Sequence, residues 1–251
     1  MSATPYRIGQ IVPSSNLTME TEIPAMLAAR SLIRPERFTF HSSRMRMKTV
    51  RKDELAAMDA ESDRCALELS DARVDVLGYA CLVAIMSMGH GYHRASQQRL
   101  HAVTETNGAA APVVTSAGAL VDALAVLRAR KIALVAPYMR PLTEMVVAYL
   151  ENEGIAVQDW RALEIADNIE VARHDPSRLP GIVAGLHTDD VDAIVLSACV
   201  QMPSLPVVAE VEAQARRPVL TASIATTYAI LKALNLEPVV PGAGALLSGA
   251  Y

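Results

Sequence analysis

Only three of the 251 residues are cysteine, too few for a disulfide framework, so each thiol needs its own explanation. Long apolar runs are missing too. The longest, Val74–Met88 and Val191–Val200, are broken by Asp, Gly, Ser or Cys and fall short of the roughly 20 residues a membrane helix needs. Positive charge is not in excess: the net charge is −4 with Lys and Arg dispersed, which leaves no basic stripe for nucleic acid. An anion must therefore be bound by local donors rather than by the overall field. The one basic cluster, Arg44, Arg46, Lys48, Arg51 and Lys52, reads as a solvated loop or a contact between subunits. No P-loop occurs, and Gly89, Gly91 and Gly118 make no dinucleotide fingerprint. Ser14, Ser15, Ser116 and Ser197 lack a Gly-x-Ser-x-Gly elbow, which leaves serine hydrolysis unsupported. His90-x-x-His93, the tightest histidine pair, has no carboxylate or cysteine at ligand spacing. It reads as structural, and neither metal nor cofactor is implied. Met1–Arg7 runs straight into a strand-like segment without a basic and apolar leader, so the expected compartment is the cytoplasm.

What the chain does have is alternation. Short β-branched runs near 6–12, 37–42, 74–80, 112–115, 131–136, 155–159, 192–197 and 218–221 alternate with helical patterns. The helical patterns cover 18–30, 52–71, 93–107, 116–129, 140–153, 176–187, 205–215 and 222–233, with Gly154 as a stop signal. That rhythm predicts βαβ units and parallel sheets, an α/β protein.

The alternation also repeats. Arg7-Ile-Gly-Gln-Ile-Val-Pro13 matches Lys131-Ile-Ala-Leu-Val-Ala-Pro137, 124 residues on (137 less 13). Val74-Asp75, an apolar strand and Ala80-Cys81 match Val191-Asp192, an apolar strand and Ala198-Cys199, the cysteines being 118 apart (199 less 81). Pro112-Val-Val-Thr115 matches Pro218-Val-Leu-Thr221. Three landmarks in the same order predict two pseudo-symmetric lobes, each a parallel sheet flanked by helices, with an active site between them. The expected boundaries are 1–115 for the first lobe and 116–221 for the second, with 222–251 free to pack back onto the first.

The repeat singles out two thiols. Cys65 lies in a helical pattern and reads as a packed core residue. Cys81 and Cys199 each follow a buried-strand pattern, at the carboxyl end where parallel α/β sheets place their chemistry. A free thiol is only about 3% ionised at pH 7, so a working cysteine needs donors that favour its anion. The backbone amides of Leu82, Val83 and Val200, in the turns after the two cysteines, are candidates to hold the carboxylates of a small diacid without an arginine. On residues alone other readings stay open: core thiols, Asn16 as a cap for the helix starting near Thr18, Tyr138 and Asn168 as turn residues, Thr18 and Glu22 as helix-start chemistry.

Four segments carry a family resemblance: Ile11-Val-Pro-Ser-Ser-Asn16-Leu-Thr-Met-Glu-Thr-Glu22, Gly78-Tyr-Ala-Cys81-Leu-Val83, Ala136-Pro-Tyr138 and Leu196-Ser-Ala-Cys199-Val-Gln-Met-Pro-Ser204. With these the chain resembles the maleate cis–trans isomerases of the aspartate/glutamate racemase superfamily, over nearly its whole length. The resemblance implies Cys81 as nucleophile, Cys199 as its acid–base partner, and Asn16, Tyr138 and Asn168 as binders of substrate carboxylates. It also implies a cytoplasmic homodimer or higher homo-oligomer acting on a small dicarboxylate, maleate, for example in nicotinate degradation. Racemases of the superfamily carry Asn-Thr after the first cysteine and Thr after the second. Here Leu82-Val83 and Val200-Gln201 stand instead, which counts against a racemase.

The chemistry is consistent with that implication. Even the partial double bond of a peptide has a barrier of about 18–20 kcal/mol, roughly 0.01 to 0.4 turns per second. A full C=C bond is stiffer, so its order must drop during the reaction, as it does when a thiolate adds to one alkene carbon. Two other outcomes are weighed: a cofactor-independent racemase or decarboxylase working α to a carboxylate, and a non-catalytic diacid-binding module.

Overall fold

The computed structural model describes residues 5–251, so the first residues of Met1–Arg7 lie outside the described part. β1 (Tyr6–Pro13), β2 (Phe38–Met45), β3 (Val76–Tyr79) and β4 (Val113–Thr115) form a parallel sheet in the order β2-β1-β3-β4. β5 (Lys131–Ala136), β6 (Ala156–Ala162), β7 (Ala193–Ser197) and β8 (Val219–Thr221) form a second, in the order β6-β5-β7-β8. Counted from its own first strand, each sheet has the same order. β3 and β7 are buried throughout, as central parallel strands covered on both faces must be. The edge strands β2 and β6 are half-exposed and carry Arg44, Asp159 and Arg161, which discourages pairing with another chain.

The helices are α1 (Met19–Arg30), α2 (Lys52–Asp59), α3 (Ser62–Asp71), α4 (Leu82–Ser87), α5 (Tyr92–Thr106), α6 (Ser116–Val126), α7 (Arg140–Asn152), α8 (Asn168–Ala172), α9 (Leu179–Ala184), α10 (Val208–Ala215) and α11 (Ala222–Ala233). Three differences from the sequence reading have local causes. The single helix expected over 52–71 breaks into α2 and α3, where the Ser62 hydroxyl takes the Asp59 carbonyl (2.6 Å) in competition with the backbone ladder. α4 was not expected, because its first five residues, Leu82–Met86, are all buried and so show no polar face to reveal a helical period. α8, of 5 residues, is too short for a period.

The repeat is realised as matching hydrogen bonds. Asp75 accepts from the amide of Arg7 (2.7 Å), and Asp192 from those of Arg130 and Lys131 (2.8 and 2.9 Å). Ala80 donates to Ile11 (2.9 Å) as Ala198 does to Val135 (3.0 Å). Thr115 and Thr221 cap α6 and α11 through Gly118 and Ile224, both at 3.1 Å. The two Val-Asp pairs are 117 residues apart (192 less 75), but the cysteines are 118 apart. The extra residue is taken up by a register shift between Val195 and Ser197, a bulge just before Cys199.

α11 follows the second sheet but packs on α1, β3 and β4 of the first, and against α6. We propose the lobe boundaries at 115 and 221 on this basis, with 222–251 returning to the first lobe. Arg30, 1% exposed, holds the returning segment through the carbonyls of Glu237 (2.6 Å) and Val239 (2.9 Å) and pairs with Glu36. Arg30→Met is expected to cost about 3 kcal/mol, since it removes the guanidinium from the largely buried Glu36 and from the carbonyls of Glu237 and Val239. Denaturant unfolding measures it, and a loss below about 1 kcal/mol would remove Arg30 from this role.

Candidate active site

Cys81 sits between β3 and α4 with φ 78 and ψ 68. This left-handed conformation costs a non-glycine residue of order 1–3 kcal/mol and persists only where the surroundings impose it. Here a buried strand and a buried helix impose it. Cys199 lies after the bulge in β7 and is followed by an irregular turn, with the Ser197 hydroxyl on its carbonyl (2.8 Å) and the Gln201 amide on its sulfur (3.4 Å). The two thiols occupy equivalent places in the two sheets, yet their surroundings differ.

Both are closed off from water, with Cys81 8% and Cys199 7% exposed. Burial pushes the Cys81 thiol up to about 12, opposed by the Ala84 amide and assisted by the nearby Cys199 and Asp59. Burial also raises Cys199, against the Tyr138 hydroxyl and the amides of Gln201 and Met202. Amides do face both sulfurs, but desolvation outweighs them and favours the neutral thiols. The amides facing sulfur are those of Ala84, Gln201 and Met202, a different set from the Leu82, Val83 and Val200 amides expected to hold a carboxylate. Leu82 and Val83 form the first turn of α4, and Val200 is buried in the turn after Cys199.

Tyr138 joins the two sides. Its hydroxyl donates to the Ala198 carbonyl (2.9 Å) and lies against the Cys199 thiol and the Val83 amide, and burial holds it well above the usual phenol range. Asn16 caps α1, accepting from the Met19 amide at 3.0 Å, so the capping reading holds; its Nδ2 stays available as a donor. Asn168 opens α8, capped by Asp167, and crosses the lobes to donate to the Ser15 hydroxyl (2.8 Å). The structure thus groups Cys81, Cys199, Tyr138 and Val83, and joins Asn16 and Asn168 through Ser15.

Three residues that bond to the turns of the site were not singled out from sequence. Gln201 binds both the 15–18 turn and the Asn168 carbonyl. Glu22, read as helix-start chemistry, is 7% exposed and accepts from the amides of Ser204 (2.6 Å) and Leu205 (2.8 Å) and from the Ser223 hydroxyl (2.5 Å). Burial raises its carboxyl against those three donors. Arg44, read as part of a solvated cluster, holds the carbonyls of Ser14 (3.0 Å) and Asn16 (3.1 Å) and pairs with Glu20. The only available signal was that Gln201, Glu22 and Arg44 lie near cysteine- and asparagine-bearing segments in the chain or in the sheet. The loop after β2 reaches the second lobe, where Thr49 bridges to Asp167. His93, the inner member of the histidine pair, is buried on the Tyr149 hydroxyl (2.5 Å). Among the described residues no group of three or more His, Cys, Asp or Glu is placed to hold a metal, and no helix is long and apolar enough to cross a membrane.

Comparison with known proteins gives consistent results. The arylmalonate decarboxylase family model matches residues 8–247. A maleate isomerase of Pseudomonas putida is 76% identical over 246 residues, 98% of each chain. The crystal structure of a cysteine-to-alanine variant of the maleate isomerase of Pseudomonas putida S16, with maleate, is 68% identical, covers 99% of both chains and superposes with a TM-score of 0.98. A cysteine-to-serine variant of Nocardia farcinica maleate cis–trans isomerase, bearing a covalently bound succinylcysteine intermediate, is 49% identical at TM-score 0.95, covering 99% of this chain and 100% of that one.

Because burial holds Cys81 up to about 12, its alkylation rate by iodoacetamide should climb about tenfold per pH unit between pH 7 and 9. Peptide mass spectrometry reads this site by site. A plateau near pH 7 would show a thiol that is already ionised.

Proposed function

The chain belongs to the arylmalonate decarboxylase family, on its maleate isomerase branch, and from that premise we propose that its two buried thiols convert maleate to fumarate without a cofactor. The observation that carries the proposal is the placing of Cys81 and Cys199 after equivalent strands of the two sheets, both shielded from water, with the Tyr138 hydroxyl against Cys199.

The reaction follows from that arrangement. The Cys81 thiolate adds to one alkene carbon, and the π pair moves to the neighbouring carbon and its carboxylate. Negative charge on that carboxylate is met by the Asn16 Nδ2, by amides of the α4 turn and the Cys199 turn, and by the Tyr138 hydroxyl once its one proton swings from the Ala198 carbonyl to the substrate, donors that are worth more in a dry site than in water. Cys199 gives its proton to the carbanion, which leaves a succinyl thioether with a single C2–C3 bond. After rotation the Cys199 thiolate takes the proton back, the C–S bond breaks, and fumarate and the Cys81 thiolate are released. Burial leaves the Cys81 thiol almost wholly protonated at pH 7, so its proton passes to solvent water as the diacid enters, and it returns to the sulfur when fumarate leaves. Asn168 completes the site by holding the Ser15 turn in place.

This chemistry requires reduced thiols, which supports a cytoplasmic location; we also propose a homodimer or higher homo-oligomer, following the family resemblance. The alternative of a racemase or decarboxylase acting α to a carboxylate would leave fumarate unformed.

Two variants test the roles. Cys81→Ala should abolish fumarate formation from maleate and leave no adduct. Cys199→Ser should slow turnover by about 10^2 to 10^4-fold and accumulate enzyme heavier by one maleate, with the added mass on Cys81. Fumarate production by Cys81→Ala, or an adduct located on another residue, would overturn the assignment.

A further inference from the structure

Gln201 lies two residues beyond Cys199 and is 2% exposed. Its Oε1 accepts from the amides of Leu17 (2.8 Å) and Thr18 (3.3 Å), and its Nε2 donates to the carbonyls of Ser15 and Asn168, both at 2.8 Å. Two amides on one side and two carbonyls on the other fix the orientation of the carboxamide, and every donor and acceptor site of the side chain is used. The main chain of Gln201 joins in: its carbonyl accepts from the Thr18 hydroxyl (2.6 Å) and its amide points at the Cys199 sulfur (3.4 Å). Asn16 lies between the Ser15 and Leu17 groups so engaged. One buried side chain therefore ties the Asn16 turn of the first lobe to the Asn168 loop and the Cys199 turn of the second.

The side chains nearest in size or chemistry could not make all four bonds. A shorter amide would not reach both sides, threonine has one oxygen, and a carboxylate would face two carbonyls. Four satisfied buried bonds resist displacement, because each group left unpaired costs about 1–3 kcal/mol.

We propose that Gln201 is the positioning residue that sets the spacing between the carboxylate donors and the proton-handling thiol, so that the site accepts a four-carbon diacid. This rests on the isomerase reading above. Gln201 does not act on the reacting atoms. Its effect passes through Asn16, Asn168 and Cys199, and it belongs mainly to substrate binding.

The test is Gln201→Met, which keeps the volume and removes the side-chain hydrogen bonds, with steady-state kinetics on maleate and iodoacetamide labelling of Cys81 in the absence and presence of maleate. The expected result is a loss of about 100-fold in kcat/KM, the order that a misplacement of about 1 Å brings, carried mostly by KM. Maleate should protect Cys81 only at correspondingly higher concentrations, while the unprotected labelling rate stays within about threefold of wild type. A purely structural role would instead speed labelling of Cys81 and Cys199 without maleate, in proportion to the lost activity, and would refute the proposal. So would a KM and a protecting concentration within about threefold of wild type. If Gln201→Met does not fold, Gln201→Glu, which keeps the bonds from Leu17 and Thr18, takes its place in the same measurements, and the same results support or refute the role. Wild type run alongside keeps the two claims separate: no fumarate from wild type refutes the isomerase reading, whereas normal wild type with an unimpaired variant refutes only the role of Gln201.

Discussion

The site depends on water being kept out of the seam between two lobes while the polar groups lining that seam stay paired. An unpaired polar group there is costly, and the seam is full of them: Glu22, Gln201, Ser15, Asn168 and Thr18. Each finds a partner on the opposite lobe. Packing alone, roughly proportional to area, tolerates sliding; hydrogen bonds of fixed length and angle do not. The same dryness that forces this pairing raises both thiols. It thereby denies Cys81 its charge at rest, and it also makes the few donors that remain effective against charge that develops on the substrate.

Duplication supplies the pair of thiols, and divergence makes them unequal. Asp75 and Asp192 still anchor the first strand of each sheet, and Thr115 and Thr221 still cap the following helices. The difference begins at a bulge of one residue in β7. Before Cys81 the strand is regular, and the chain must take a left-handed step straight into α4. Before Cys199 the bulge frees the chain to make an irregular turn whose amides at Gln201 and Met202 face the sulfur. An insertion of one residue is enough, because a shift of one turns every side chain of a strand to the other face unless a bulge absorbs it.

This explains what could be read from sequence and what could not. The strands were legible because buried parallel strands are continuous apolar runs, and the thiols because they end two matching runs. α4 was hidden for the opposite reason: a helix buried on all sides has no period. Glu22 does stand in the first turn of α1 as expected, but its further bonds and those of Gln201 are illegible in sequence because they lie across the seam, 182 to 186 residues away in the chain, where local pattern has nothing to say. Arg44 looked like one more surface charge, and only the register that sets Arg44 beside Val12 at the end of β1 shows why its guanidinium reaches the Asn16 turn.

The apolar residues after Cys81 bear on the choice of reaction. An amino-acid substrate brings an ammonium group, and burying it without a partner costs far more than the site could return. Leu82 and Val83 fill the first turn of α4, both essentially buried, and neither offers an acceptor. Asp59, the carboxylate closest in effect to Cys81, is already committed to the hydroxyls of Tyr79 (2.7 Å) and Tyr92 (2.6 Å) and to Arg99. What surrounds the thiols is donors: amides, the Asn16 Nδ2 and a phenol that now serves the Ala198 carbonyl. A site rich in donors suits two carboxylates better than an ammonium, which accords with maleate rather than an amino acid as substrate.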